Sequence, residues 1–108
     1  MAYFHLKLTP PRPSFPHDAT AEEMAAMQRH AAYWRQNAET GMAIAVGPVF
    51  EREGAWGMAI IEVADADAAK AVGDADPVIL AGIGFRFDVS PIPSIILRQA
   101  SAGAPSNS

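Results

Sequence analysis

The apolar residues repeat every second position from Ala2 to Thr9 and then at the three-four spacing of a helix from Met24 to Ala38. Beyond that they fall in short runs, and the order of these changes restricts the fold more than any single motif does. Phe4, Leu6 and Leu8 alternate with Tyr3, His5 and Lys7, which predicts a strand with one fully apolar face. Met24, Met27, Ala31, Trp34 and Ala38 fall within roughly 80° of a helical wheel, the stripe of a helix packed on one side. Thr20 and Glu23 have the spacing of a capping box, and Gly41 stands where a left-handed residue ends a helix, so the helix is expected from Thr20 to about Thr40. Met42 to Val46 predicts a second strand ending at Gly47-Pro48, which Val49 and Phe50 continue irregularly. Glu51 to Gly54 is a connection of hairpin length, and Trp56 to Val63 predicts a third strand. Asp65 caps an alanine-rich helix over Ala66 to Val72 that Gly73 ends, and Asp76-Pro77 opens a further turn reaching about Gly82. Gly84 to Ser90 alternates as a fourth strand, finished by Pro91 and Pro93.

With right-handed crossovers, the order β-α-β-β-α-β predicts an α+β, ferredoxin-like fold: a four-stranded antiparallel sheet of order 4-1-3-2 with both helices on one face. The open face carries Tyr3, His5, Lys7, Arg86, Asp88 and Ser90, whereas Trp56, Met58 and Ile60 fit either face. Placed on the open face they form an apolar patch that a second sheet would cover. Half of the chain is hydrophobic and only 19% charged, which agrees with a homodimer through that face. The 108 residues suffice for one core. The domain is expected over residues 1–98, followed by a disordered tail, 99–108, of small and polar residues with Pro105.

The formal charge of −4 and the absence of a Lys/Arg cluster argue against nucleic acid as a partner. The chain has no cysteine, which excludes thiol catalysis and soft metal ligands. No apolar run approaches the ~20 residues of a membrane span, and the amino terminus begins as a strand instead of a signal, so a cytoplasmic protein is expected. His5, His17 and His30 fall on a strand, a loop and a helix without ligand spacing, so no metal site is expected. Phosphate loop, nucleophile elbow and dinucleotide fingerprint are missing too, and no cofactor is indicated.

His30 lies about 40° beyond Trp34 on the wheel, at the border of the stripe, where it leans into a crevice and still reaches a polar partner. The sharpest candidate partner is Asp76, since a carboxylate beside an imidazole fixes its tautomer and stabilises the imidazolium, which suits proton transfer near neutral pH. Both residues also have a plain structural account, His30 as a half-covered border residue and Asp76 as the cap before Pro77. The stretch Pro10 to Asp18 holds four prolines and is a semi-rigid loop, either a lid beside a site, with Phe15 its notable residue, or a surface connection.

The chain resembles the YciI-like (YCII-related domain) proteins of bacteria, in the dimeric α/β barrel superfamily. The residues that carry the likeness are His30 within Met27 to Trp34, Gly47-Pro48 after the second strand, Gly57 opening the third, and Ala75 to Gly82 followed by a strand ending at Pro91. The resemblance implies a ferredoxin-like subunit whose open sheet face pairs with a second copy, and an active site using His30 and Asp76 as a proton-transfer pair. Gly47 and Pro48 would shape the pocket wall, with Trp34 and Tyr3 supplying apolar and aromatic contact to a small-molecule ligand. The implied chemistry is of lyase, dehydrochlorinase or isomerase type. A ligand-binding or interaction module with a purely structural His-Asp pair is the alternative. Relatives with an arginine three residues before the histidine differ from this chain, which has Met27 there.

Overall fold

The computed structural model describes residues 1–99, so all but Gln99 of the expected tail lies outside the described residues. The elements follow in the order β1 (Ala2–Thr9), α1 (Ala21–Glu39), β2 (Ala43–Glu51), β3 (Gly54–Val63), α2 (Ala66–Asp74), α3 (Pro77–Leu80) and β4 (Arg86–Ile92). All strand pairs are antiparallel and the sheet order is β2-β3-β1-β4, the expected ferredoxin-like order read from its other edge. Phe4 and Leu6 of β1 meet Ala59, Ile61 and Val63 of β3, Trp34 of α1 and Ala69 of α2 in one core cluster. A second cluster joins Leu8 and Phe85 to Ala26 of α1, Val78 of α3 and Phe15 of the proline-rich loop. The helices therefore cover one face of the sheet.

On the other face Met58 pairs with Lys7 and Ile60 with His5, while the Trp56 ring lies edge-on to His5 at 5.8 Å, with Lys7 Nζ 4.7 Å above it. Paired residues point to the same side of a pleated sheet, so Trp56, Met58 and Ile60 lie on the open face.

Three boundaries differ from expectation. β2 does not stop at Gly47-Pro48 but runs on to Glu51, and its irregularity comes earlier, between Ala43 and Ala45. There the extra residue is Ile44, a bulge that reverses the alternation behind it. Val46, Pro48 and Phe50 consequently oppose Ala59, Gly57 and Ala55 on the helix-covered side. Pro48 is tolerated because β2 is an edge strand, and Pro91 sits within β4, the other edge, for the same reason. Gly73 does not end α2 but lies buried inside it, where an added Cβ would meet Phe87 Cδ2 at 3.2 Å. Its role is close approach of helix to sheet.

The apolar stripe of α1 is not its buried face. Glu23, Ala26 and Trp34 are buried and His30, Tyr33 and Asn37 half-buried, a face turned by roughly 90° from the stripe at 3.6 residues per turn, and Met24, Ala31 and Ala38 are exposed. Three of the four polar residues on that face are held by particular bonds, Glu23 by Arg12 at 2.6 and 2.7 Å, Tyr33 by donation to the Val72 carbonyl at 2.7 Å, and His30 by Asp76, while the Asn37 amide nitrogen is buried without a partner among the described residues. The capping box forms as read, Thr20 Oγ1 accepting from the Glu23 amide and Glu23 from the Thr20 amide.

Candidate active site

The exposed apolar stripe borders a cavity of about 690 Å³ between α1 and the β2–β3 half of the sheet. Such a volume lies in the range of small-molecule sites. Met24, Met27, Ala31, Trp34 and Ala38 form one wall, and Val46, Pro48, Phe50, Gly57 and Ala59 belong to the other, with Phe15 and Phe85 also lining it. The bulge at Ile44 makes that second wall, since without it Ala45, Gly47 and Val49 would take the inward positions. Gly57 keeps the floor open, for a Cβ there would press on Leu8 Cβ at 3.2 Å.

His30 lines this cavity, and its ring is fixed from behind. Asp76, fully buried at 0% exposure, uses its two carboxylate oxygens differently. Oδ1 accepts from the Val78 amide at 2.9 Å, the ordinary cap of α3, while Oδ2 accepts from Trp34 Nε1 at 2.7 Å and lies 2.7 Å from His30 Nδ1. The capping and site readings of Asp76 thus coexist on one side chain. Three donors around one carboxylate supply the pairing that a buried charge requires. Since both oxygens act as acceptors, the network assigns the proton to Nδ1 of His30. Nε2 then carries the lone pair. It is the ring nitrogen not turned to Asp76, on a side chain that retains 15% exposure and lines the cavity.

Trp34 was expected to give apolar contact; it also holds Asp76 through its indole N–H. Gly47 and Pro48 line the cavity. Tyr3 does not: it pairs with Glu62 and Ile92 on the open face of β1, on the opposite side of the sheet from His30. Alternation along β1 carried this information, because Phe4, Leu6 and Leu8 claim the helix side. Phe15, the notable residue of the proline-rich loop, lines the cavity; Arg35 and Met24 do so without having been marked as site residues, and for Arg35 no periodic signal exists. Among the described residues no cluster of three metal-binding side chains occurs, and no helix is long and apolar enough to cross a membrane.

The proline-rich loop is fastened at the cavity end. Arg12 donates to both oxygens of Glu23 and to Oδ2 and the carbonyl of Asp18, which also accepts from Ser14, and Phe15 packs edge-on to Phe85 at 5.1 Å. Two glycines let the loop sit close: Gly84, at φ +98°, lies beneath Pro11 and Gly54, at φ +138°, beneath Pro13. The bonds from Arg12, then that from the Thr20 amide, draw the Glu23 carboxyl down to about 2 from an ordinary 4.5. A lowered folded-state pKa means that this contribution is complete above the ordinary value and is lost as pH falls through the folded one. Thermal melts between pH 5 and 2 are therefore expected to show a steeper loss of stability in wild type than in Glu23→Gln; parallel curves would show that the clasp is not coupled to folding.

A sequence model of the YCII-related domain matches residues 4–93. No curated protein matches the chain. Among solved structures, the chain is similar to a 5-chloro-2-hydroxyhydroquinone dehydrochlorinase from Burkholderia phenoliruptrix in complex with 2,5-dihydroxybenzoquinone, with TM-score 0.53 and 17% identity over 81% of this chain and 90% of that one. An uncharacterized protein from Thermotoga maritima aligns with TM-score 0.47 and 16% identity over 83% of this chain and 94% of that one. At such identities the likeness to the dehydrochlorinase is one of fold.

Proposed function

The chain belongs to the YCII-related domain family, and we propose that it is a small-molecule enzyme in which His30 moves a proton within an apolar cavity. The observation that carries this reading is the placing of one imidazole: Nδ1 is held by fully buried Asp76, and the residue lines about 690 Å³ of apolar space, which leaves Nε2 as the nitrogen for a ligand. Nε2 takes a proton from a substrate carbon or hydroxyl, and the imidazolium so formed is stabilised through Nδ1–H by the Asp76 carboxylate. If the electron pair released expels a neighbouring halide, the net change is loss of HX, a lyase reaction. When His30 instead returns the proton to another atom of the same substrate, the result is an isomerisation. Neither route changes the oxidation balance, and each asks of the protein only a base, its orienting carboxylate and walls that exclude water. Met24, Met27, Trp34, Gly47 and Pro48 supply those walls. The dehydrochlorinase of the same fold, whose structure contains a dihydroxybenzoquinone, supports hydroxylated and halogenated rings as the first class to try.

The test is chloride release from chlorinated hydroxyquinols, together with deuterium uptake from solvent into hydroxylated aromatic and carbonyl compounds. Turnover is expected in wild type and its loss in His30→Gln. Turnover undiminished in that variant would end the proposal. A binding module with a structural His-Asp pair is favoured by the bonds of Asp76 to the Val78 amide and the Trp34 indole, which a catalytic pair also tolerates.

The open sheet face is proposed as the interface of a homodimer, because Trp56, Met58 and Ile60 form an apolar strip across it. Sedimentation is expected to give a dimer that Trp56→Glu dissociates; a monomeric wild type would remove the interface.

A further inference from the structure

We infer that Arg35 is the anion anchor of this cavity, so that the ligand is an apolar, ring-sized body carrying one anionic group. The inference rests on the cavity reading above and adds a substrate class to it. His30 and Arg35 are the only ionisable side chains among the residues that line the cavity, and everything else there is aliphatic, aromatic, methionine, proline or glycine. The cation is uncompensated. Among the described residues no ion pair or hydrogen bond joins Arg35 to a carboxylate, whereas Arg12, Lys70 and Arg86 each have one. Arg29, Arg52 and Arg98 are equally unpaired, but none of them borders this cavity, and a free arginine in open water is ordinary. Arg35 is exposed too, but it borders an apolar cavity, and a ligand seated there brings its negative group to the guanidinium where apolar surface lowers the local polarity and strengthens the attraction. Glu39 stands one turn on along α1 without forming an ion pair with Arg35, and the Asp76 carboxylate is already taken up by three donors.

Spacing fits a short ligand. Arg35 lies five positions after His30, about 7.5 Å along the helix axis and about 140° around it, so the two stand on opposite borders of the apolar stripe. One ring lies comfortably between a head group on the guanidinium and a reacting atom at Nε2. The fork of arginine donors matches a carboxylate in two-point contact and serves a phenolate through one point, so the shared requirement is a single anionic oxygen group. Arg35 is a positioning residue in this scheme, not a proton carrier.

Benzoate and benzamide, alike in shape and different in charge, separate the possibilities. Each is titrated into the full chain while the Trp34 indole and His30 imidazole NMR signals are followed. Benzoate is expected to bind wild type about tenfold more tightly than benzamide, the scale of one charge-assisted contact. Arg35→Gln should erase that preference by weakening benzoate alone, Arg35→Lys should keep part of it, and Arg29→Gln should leave it intact. Equal affinities in wild type, or a preference that survives Arg35→Gln, overturn the assignment while leaving the cavity as a site. If neither probe moves either signal, the cavity reading falls together with it.

Discussion

Asp76→Ala is expected to lose about 3–5 kcal/mol of folding stability, the usual cost of deleting one partner from a buried charged network, and to approach unfolding in a domain of this size. The substitution strands three donors at once: the Val78 amide, the Trp34 indole and the His30 ring. It also removes the cap of α3, so the loop that carries Asp76 loses its anchor. Asp76→Asn keeps the shape, but its amide must set a donor against a donor on one side or the other, either toward Trp34 and His30 or toward Val78. About 1–3 kcal/mol is expected there. Urea unfolding of the three proteins orders them, and an Asp76→Ala midpoint equal to wild type would show that the carboxylate does not hold α1 to α3. Loss of activity on changing Asp76 therefore does not by itself identify a catalytic role, because the fold suffers too.

His30 is the residue at which chemistry and folding separate. It retains partial exposure, and glutamine keeps a donor for Asp76 Oδ2 while removing the basic nitrogen. His30→Gln is expected to lower turnover by about 10²–10⁴-fold, the contribution of a positioned general base, and to cost no more than about 1–2 kcal/mol of stability, the scale of a single altered hydrogen bond. The two readouts together decide the matter. If turnover and stability fall together, or stability alone falls, the pair is structural; if turnover falls and the unfolding midpoint stays near wild type, His30 acts on substrate. Probe affinity in the same variant should change little, since binding is assigned to the walls and to Arg35 rather than to the base.

Much of the site was legible because its signals are local. A capping box, the Asp before Pro at a helix start and alternation in β1 each involve residues within a few positions, and each formed as read. Local reading also limited what was seen. The stripe of Met24, Met27, Ala31, Trp34 and Ala38 was identified correctly as an apolar face, but periodicity reports only that a face is apolar and not whether protein or ligand covers it. The burial was thus assigned to the wrong side of the helix, and the polar face holding Glu23 and His30 was the one packed inward. Tyr3 was grouped with the site although the alternation of its own strand sends it to the other side of the sheet.

The order of the strands and the capped helix were determined by the sequence itself, through periods and spacings that each element satisfies alone, while His30 and Asp76 were named as a candidate pair from their chemistry and a family resemblance. Tertiary structure decided the rest. One inserted residue at Ile44 chose which side chains of β2 face α1, and only long-range packing brought Arg12 to Glu23, Trp34 to Asp76 and Arg35 to the mouth of an apolar cavity. Those contacts join elements whose separation in the chain leaves no periodic trace, because their geometry is set where two packed surfaces meet and not by the backbone of either.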